Sequence, residues 1–277
     1  MKQIKLIAFD LDGTLLKDNK DLTPRTLEAL KRAAEAKIQL VPTTGRLYDG
    51  VPEEIRTLPF IRYVIGANGA LVYDAWEKRT LYRAEMNQEE IRQFFDAAQY
   101  TSAITGCYKG GKAYMGKGDI EKMEEYSPGQ ALFRMMRRIY MPVEDLKAYL
   151  LESGETVQKL MLFFADLKER KQVLEEMKVS LCNLSVSSSV INNIEVNARD
   201  ANKGAALRFL REHLGLEQEE TAAFGDGSND ITMLLEAGIG FAMENACPEA
   251  KEAADRITLT NEQEGVAFEI ERLLKTF

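Results

Sequence analysis

Leu6-Ile7-Ala8-Phe9 is an unbroken apolar run that stops at the turn sequence Asp10-Leu11-Asp12-Gly13. A strand with one wet face alternates apolar and polar residues. A strand with no polar positions is covered on both faces, as in a parallel sheet flanked by helices. Parallel strands need crossovers, and the following residues supply one. Thr23-Pro24 offers an N-cap followed by proline at the first helical position, opening a helix to about Lys37. Ile38 to Pro42 then reads as a second strand and Tyr63-Val64-Ile65 as a third. Strand–helix–strand alternation implies right-handed crossovers and an α/β, doubly wound, mostly parallel sheet.

The last third repeats the pattern. Leu207, Leu210 and Leu214 have helical spacing, Thr221 to Phe224 reads as a strand, Ile231 to Ala237 as a helix, and Ile239 to Met243 as another strand. A final helix is expected from about Glu264 to Leu274. The middle differs. Leu71–Tyr73 and Arg79–Leu81 suggest a hairpin leaving the sheet. Asn87 with Glu90 resembles a capping box, and Lys109-Gly110-Gly111 a hairpin turn. Val157 to Phe164 and Leu184 to Val190 are further strand candidates. Residues 83–190 are therefore expected to form an α+β domain inserted into a core made of residues 1–82 and 191–277.

Net charge is −8, which disfavours a nucleic-acid partner, because binding a phosphate backbone needs a basic surface. Cys107, Cys182 and Cys247 are odd in number and widely spaced, which fits a reducing cytoplasm better than a disulfide framework. The four apolar residues before Asp10 are too few for a signal-peptide core, and no apolar run approaches a membrane span.

Four short motifs carry chemistry. Asp10-Leu11-Asp12-Gly13-Thr14 lies beyond the carboxyl end of a strand, where open α/β sheets bind ligands. Two carboxylates there can divide the work, one as nucleophile held against a metal, the other handling protons. A plain strand-to-turn junction would also use Asp and Gly. Gly225-Asp226-Gly227-Ser228-Asn229-Asp230 follows a second strand and opens a helix. Its acids could meet Asp10 and complete an all-oxygen site of the kind that favours Mg²⁺. Thr44-Gly45-Arg46 offers a hydroxyl and backbone N–H groups to a phosphate oxygen. Asn202-Lys203-Gly204 puts a lysine at a helix start, where the helix dipole disfavours it and a bound phosphate would favour it.

Together these motifs resemble the haloacid dehalogenase superfamily of phosphotransferases. Ala67-Asn68-Gly69-Ala70, Gly240–Ala246 and Asn261–Ala267 resemble further signatures of it, and the large insert resembles that of the Cof-type subgroup with an α/β cap. The resemblance implies a Mg²⁺-dependent phosphatase acting on a small phosphorylated metabolite, such as a sugar phosphate. It implies Asp10 as nucleophile and Asp12 as acid and base. Asp10, the carbonyl of Asp12 and Asp226 would hold Mg²⁺, with Asp230 and Arg46 in support. Thr44, Gly45, Lys203 and Asn229 would bind the phosphoryl group. A sugar phosphomutase needs the same Asp10 and Asp12, and a non-enzymatic metabolite-binding protein on this fold is a further alternative. His213, the only histidine, falls late in a helix and reads as structural or solvent-exposed. Arg134, Arg137 and Arg138 read as a solvated helix face, and Tyr108, Tyr114 and Phe133 as core of the insert.

Overall fold

The structure, a computed structural model, describes residues 2–127 and 129–275. The chain divides into two compact units, Met1–Tyr82 with Asn202–Phe277, and Arg83–Ala201.

The first unit opens with β1 (Leu6–Phe9), α1 (Pro24–Glu35), β2 (Gln39–Pro42), α2 (Glu53–Arg56), β3 (Tyr63–Gly66), β4 (Leu71–Asp74) and β5 (Arg79–Arg83). Thr23 caps α1, its side chain accepting from the amide of Thr26. All four residues of β1 are buried, as their uninterrupted apolarity requires. β3 does not join the main sheet. It pairs antiparallel with β4 in a small three-stranded sheet with β5. One parallel bridge, Thr43 to Ile65, ties β3 to the end of β2.

The second unit holds α3 (Gln88–Ala98), β6 (Ile104–Lys109), β7 (Lys112–Gly116), α4 (Lys117–Lys122), α5 (Gln130–Ile139) and β8 (Tyr140–Val143). It continues with α6 (Leu146–Ser153), β9 (Lys159–Phe163), α7 (Leu167–Ser180), β10 (Leu184–Ser187) and β11 (Asn193–Ala198). Its six-stranded sheet runs β10-β11-β9-β6-β7-β8. Asn87 and Glu90 form a complete capping box on α3. The chain leaves this unit at 201/202, not at the expected 190/191, because β11 pairs antiparallel with both β10 and β9. Tyr108 is buried, Tyr114 packs against Tyr149, and Arg134, Arg137 and Arg138 are exposed.

The first unit resumes with α8 (Lys203–His213), β12 (Thr221–Gly225), α9 (Ile231–Glu236), β13 (Ile239–Ala242), α10 (Pro248–Ala253), β14 (Arg256–Ile257) and α11 (Gly265–Leu273). The main sheet is parallel throughout, in the order β14-β13-β12-β1-β2. From β1 the chain winds outward to β2, and the later strands build on the opposite side. The strand order therefore reverses between β1 and β12, and the crevice beyond their carboxyl ends is where such sheets take ligands. His213 is exposed, its ring stacked against Phe209. Among the described residues no helix is long and apolar enough to cross a membrane.

Candidate active site

Phe9 lies opposite Phe224 in the parallel register, so Asp10 leaves β1 level with the end of β12. Its amide donates to the carbonyl of Phe224 at 3.0 Å. The chain then folds back tightly, the amides of Leu15 and Leu16 donating to the carbonyls of Asp10 and Leu11. Gly13 takes φ +84°, a backbone that side chains resist, and a Cβ there would lie 2.5 Å from Oδ2 of Asp226. The glycine thus lets the first loop pass against the carboxylate of the second.

Carboxylate oxygens of Asp10, Asp226 and Asp230 lie within 4.8 Å of one another. Lys203, the first residue of α8, is wholly buried among them. Its Nζ donates to Oδ1 of Asp10 at 2.6 Å and to Oδ1 of Asp230 at 2.5 Å. Oδ2 of Asp230 accepts from the amides of Asp226 and Gly227, each at 2.9 Å, and so shapes the loop that carries Asp226. Thr14 donates to Oδ1 of Asp226 at 2.7 Å.

Three carboxylates face one ammonium, which leaves the cluster two positive charges short. Its titration reflects this. Burial pushes the Asp10 carboxyl well up; Lys203 pulls it back, and Asp230 and Asp226 push it further. Burial likewise raises Asp226 to about 6, against the hydrogen bond from Thr14. Burial would lower Lys203, but Asp10 and Asp230 more than reverse this and keep it charged. An all-oxygen donor set short of two charges suits a hard divalent cation.

Asp12 stands apart from this cluster. Arg46 grips it with two parallel bonds, Nε to Oδ2 at 3.0 Å and Nη2 to Oδ1 at 2.7 Å. Nζ of Lys20 lies 2.9 Å from Oδ1. Burial would raise this carboxyl, but Arg46 and then Lys20 outweigh it and hold it below the usual carboxylate range.

Beyond β2, Thr43 donates its hydroxyl to the carbonyl of Val41, whereas that of Thr44 accepts from the amide of Arg46 at 3.3 Å. Gly45 lies in the turn between Thr44 and Arg46. Asn229 donates to Oδ1 of Asn68 at 3.3 Å, and Asn68 itself takes φ +60°. The structure thus gathers Asp10, Lys203, Asp226 and Asp230 into one cluster and pairs Asp12 with Arg46.

Other participants were not singled out by sequence. Lys20 sits in the segment after the first loop and carries no local signal. Asn68 lies in a recognised turn, but only its contact with Asn229 gives it a place here. Asn245 donates to the carbonyl of Gly13 at 2.8 Å, and its signal was the Gly240–Ala246 segment.

The chain belongs to the haloacid dehalogenase-like hydrolases, whose family model matches residues 7–270, and its relatives are Cof-type phosphatases. It is 30% identical to the phosphatase YwpJ of Bacillus subtilis over 98% of this chain and 100% of that one. It is also 30% identical to the B. subtilis 5-amino-6-(5-phospho-D-ribitylamino)uracil phosphatase YwtE, over 98% of each chain. A solved haloacid dehalogenase-like hydrolase from B. subtilis superposes with a TM-score of 0.81, at 28% identity over 97% of this chain and 99% of that one. The protein is accordingly an enzyme of the phosphoric monoester hydrolase class.

Proposed function

We propose that the chain is a Mg²⁺-dependent phosphatase that cleaves a small phosphorylated metabolite through a phospho-aspartate on Asp10. The observation that carries this reading is the meeting of three carboxylates, from the ends of β1 and β12, around the single ammonium of Lys203. Asp10, Asp226 and the carbonyl of Asp12 would hold Mg²⁺, with Asp230 in support through Lys203. When bound, the ion offsets charge on the transferring phosphoryl group.

Asp10 attacks phosphorus in line with the leaving oxygen, forming an aspartyl phosphate while the phosphorus–oxygen ester bond breaks. Asp12 gives the leaving oxygen its proton. It then takes a proton from the water that attacks the same phosphorus, releasing phosphate and restoring Asp10. Thr44, Gly45, Asn229 and Lys203 hold the phosphoryl oxygens, and the ammonium of Lys203 counters their charge. The substrate of YwtE carries its phosphate on a sugar-alcohol chain, which supports a sugar phosphate or similar ester here. Specificity is assigned to the insert, Arg83–Ala201. The three free cysteines support a reducing, cytoplasmic setting.

The test is phosphate release from a panel of phosphorylated metabolites with Mg²⁺ and with EDTA. Activity should vanish in EDTA and in Asp10→Asn. Two in-line displacements must give net retention at a chiral phosphate ester. Inversion would eliminate Asp10 as nucleophile, and full activity in EDTA would eliminate the metal.

A further inference from the structure

Asp12 accepts three charged hydrogen bonds, two on Oδ1 and one on Oδ2. A carboxylate has about four lone-pair positions, so one position stays open, and it is on Oδ2. The donors differ in rigidity. Lys20 is a single-point ammonium with a half-exposed side chain. Arg46 is a planar fork that fixes both the distance and the plane of the carboxylate. Arg46 is itself anchored, its Nη1 donating to the carbonyl of Gly50 at 3.1 Å. A Cβ at Gly50 would lie 3.3 Å from the Cβ of Arg46, so the turn is packed closely about the arginine.

The backbone from Asp10 to Leu16 is tied by its own hydrogen bonds and by a bridge between Asp12 and Leu16, and the fork acts on the Asp12 carboxylate itself. The oxygens of that carboxylate are not among those gathered within 4.8 Å. Arg46 engages both of them. We infer that Arg46 is a positioning residue for proton transfer: it fixes the plane of the Asp12 carboxylate and leaves Oδ2 as the oxygen that exchanges the proton. Lys20 neutralises the other oxygen without fixing its direction. This rests on the reading of Asp12 as acid and base given above.

The test compares phenyl phosphate with p-nitrophenyl phosphate, which differ little in shape but strongly in how much their leaving oxygen needs a proton. Asp12→Asn calibrates the comparison by lowering kcat/KM for phenyl phosphate much more than for p-nitrophenyl phosphate. Arg46→Met should show the same preference, with phenyl phosphate suffering about tenfold more, part of the 10²–10⁴-fold that proton transfer contributes. Arg46→Lys, which keeps the charge and loses the fork, should fall between wild type and Arg46→Met, and it carries the test alone if Arg46→Met does not fold. Lys20→Met, which removes a charge from Asp12 but keeps the fork, should lower kcat/KM for the two substrates by similar factors and so show no preference. Equal losses on both substrates in the Arg46 variants would reduce the arginine to a support for the Gly50 turn and overturn the inference. A flat response in Asp12→Asn would instead remove the acid–base reading and the inference with it.

Discussion

Lys203→Met removes the one ammonium from the acidic cluster while roughly keeping the shape of the side chain. Nζ lies 2.6 Å from Asp10 and 2.5 Å from Asp230 in a wholly buried position. Removing one partner of a buried ion pair leaves uncompensated charge and typically costs about 3–5 kcal/mol. The variant can limit that cost by taking up protons, because a buried carboxylate neutralises sooner than it stays charged. Without Lys203, the influence that pulls the Asp10 carboxyl down is gone, so its folded pKa rises further above its unfolded value. The folded variant then binds more protons than the unfolded chain, and its stability falls as pH rises through the folded pKa. In EDTA the deficit relative to wild type should therefore be about 3 kcal/mol or more at pH 8 and clearly smaller at pH 5. Urea unfolding followed by circular dichroism at both pH values measures this. A deficit below about 1 kcal/mol at pH 8, or one that does not change with pH, would refute the claim that Lys203 offsets buried negative charge.

In the metal-free wild type, Asp226 is raised from 3.8 to about 6. Its contribution to stability is thus present below the unfolded value and lost as pH rises through 6, at a cost of roughly 2–3 kcal/mol. Mg²⁺ should accordingly raise the melting temperature more at pH 7.5 than at pH 5, and equal shifts would argue against binding at these carboxylates. Thr14→Val removes the 2.7 Å bond to Asp226 and should raise the Mg²⁺ concentration for half-maximal activity about tenfold, as expected for loss of a group that orients a metal ligand. Gly13→Ala places a methyl 2.5 Å from Oδ2 of Asp226 on a strained backbone. It should lower stability by about 1–3 kcal/mol and cut Mg²⁺ affinity, read by calorimetry.

The sheet was legible because burial on both faces leaves a plain mark: β1, β12 and β13 are wholly buried and carry one polar side chain between them, Thr221, and β1 and β12 run directly into Asp10 and Asp226. The acidic cluster was legible for the same reason, since its members stand at strand ends. β11 was not. Asn193, Glu195 and Asn197 alternate with apolar partners, yet all six residues are buried. Lys159 donates to Glu195, and Ser189 and Asn193 donate to it as well. Such polar residues read as a wet connection until the partners that satisfy them are known. The grip of Arg46 on Asp12 was hidden for a related reason. It joins residues 34 positions apart, and a three-residue motif says nothing about which way its arginine turns.

The interrupted chain also bears on the order in which the protein is made. β1 sits in the interior of its sheet, and the neighbour on one side, β12, begins 212 positions after the last residue of β1. Until those later residues have been synthesised, one edge of β1 has no partner, and an apolar strand with an open edge invites pairing with other chains. The insert is continuous in sequence and holds its own six-stranded sheet, so it can be complete while β1 and β2 still wait. Once folded, it brings residues 83 and 201 to a fixed spacing and shortens the loop that must close to join β1 to β12, which lowers the entropic cost of that closure. Weakening the core of the insert should therefore slow assembly of the catalytic unit even where the final stability of that unit is unchanged.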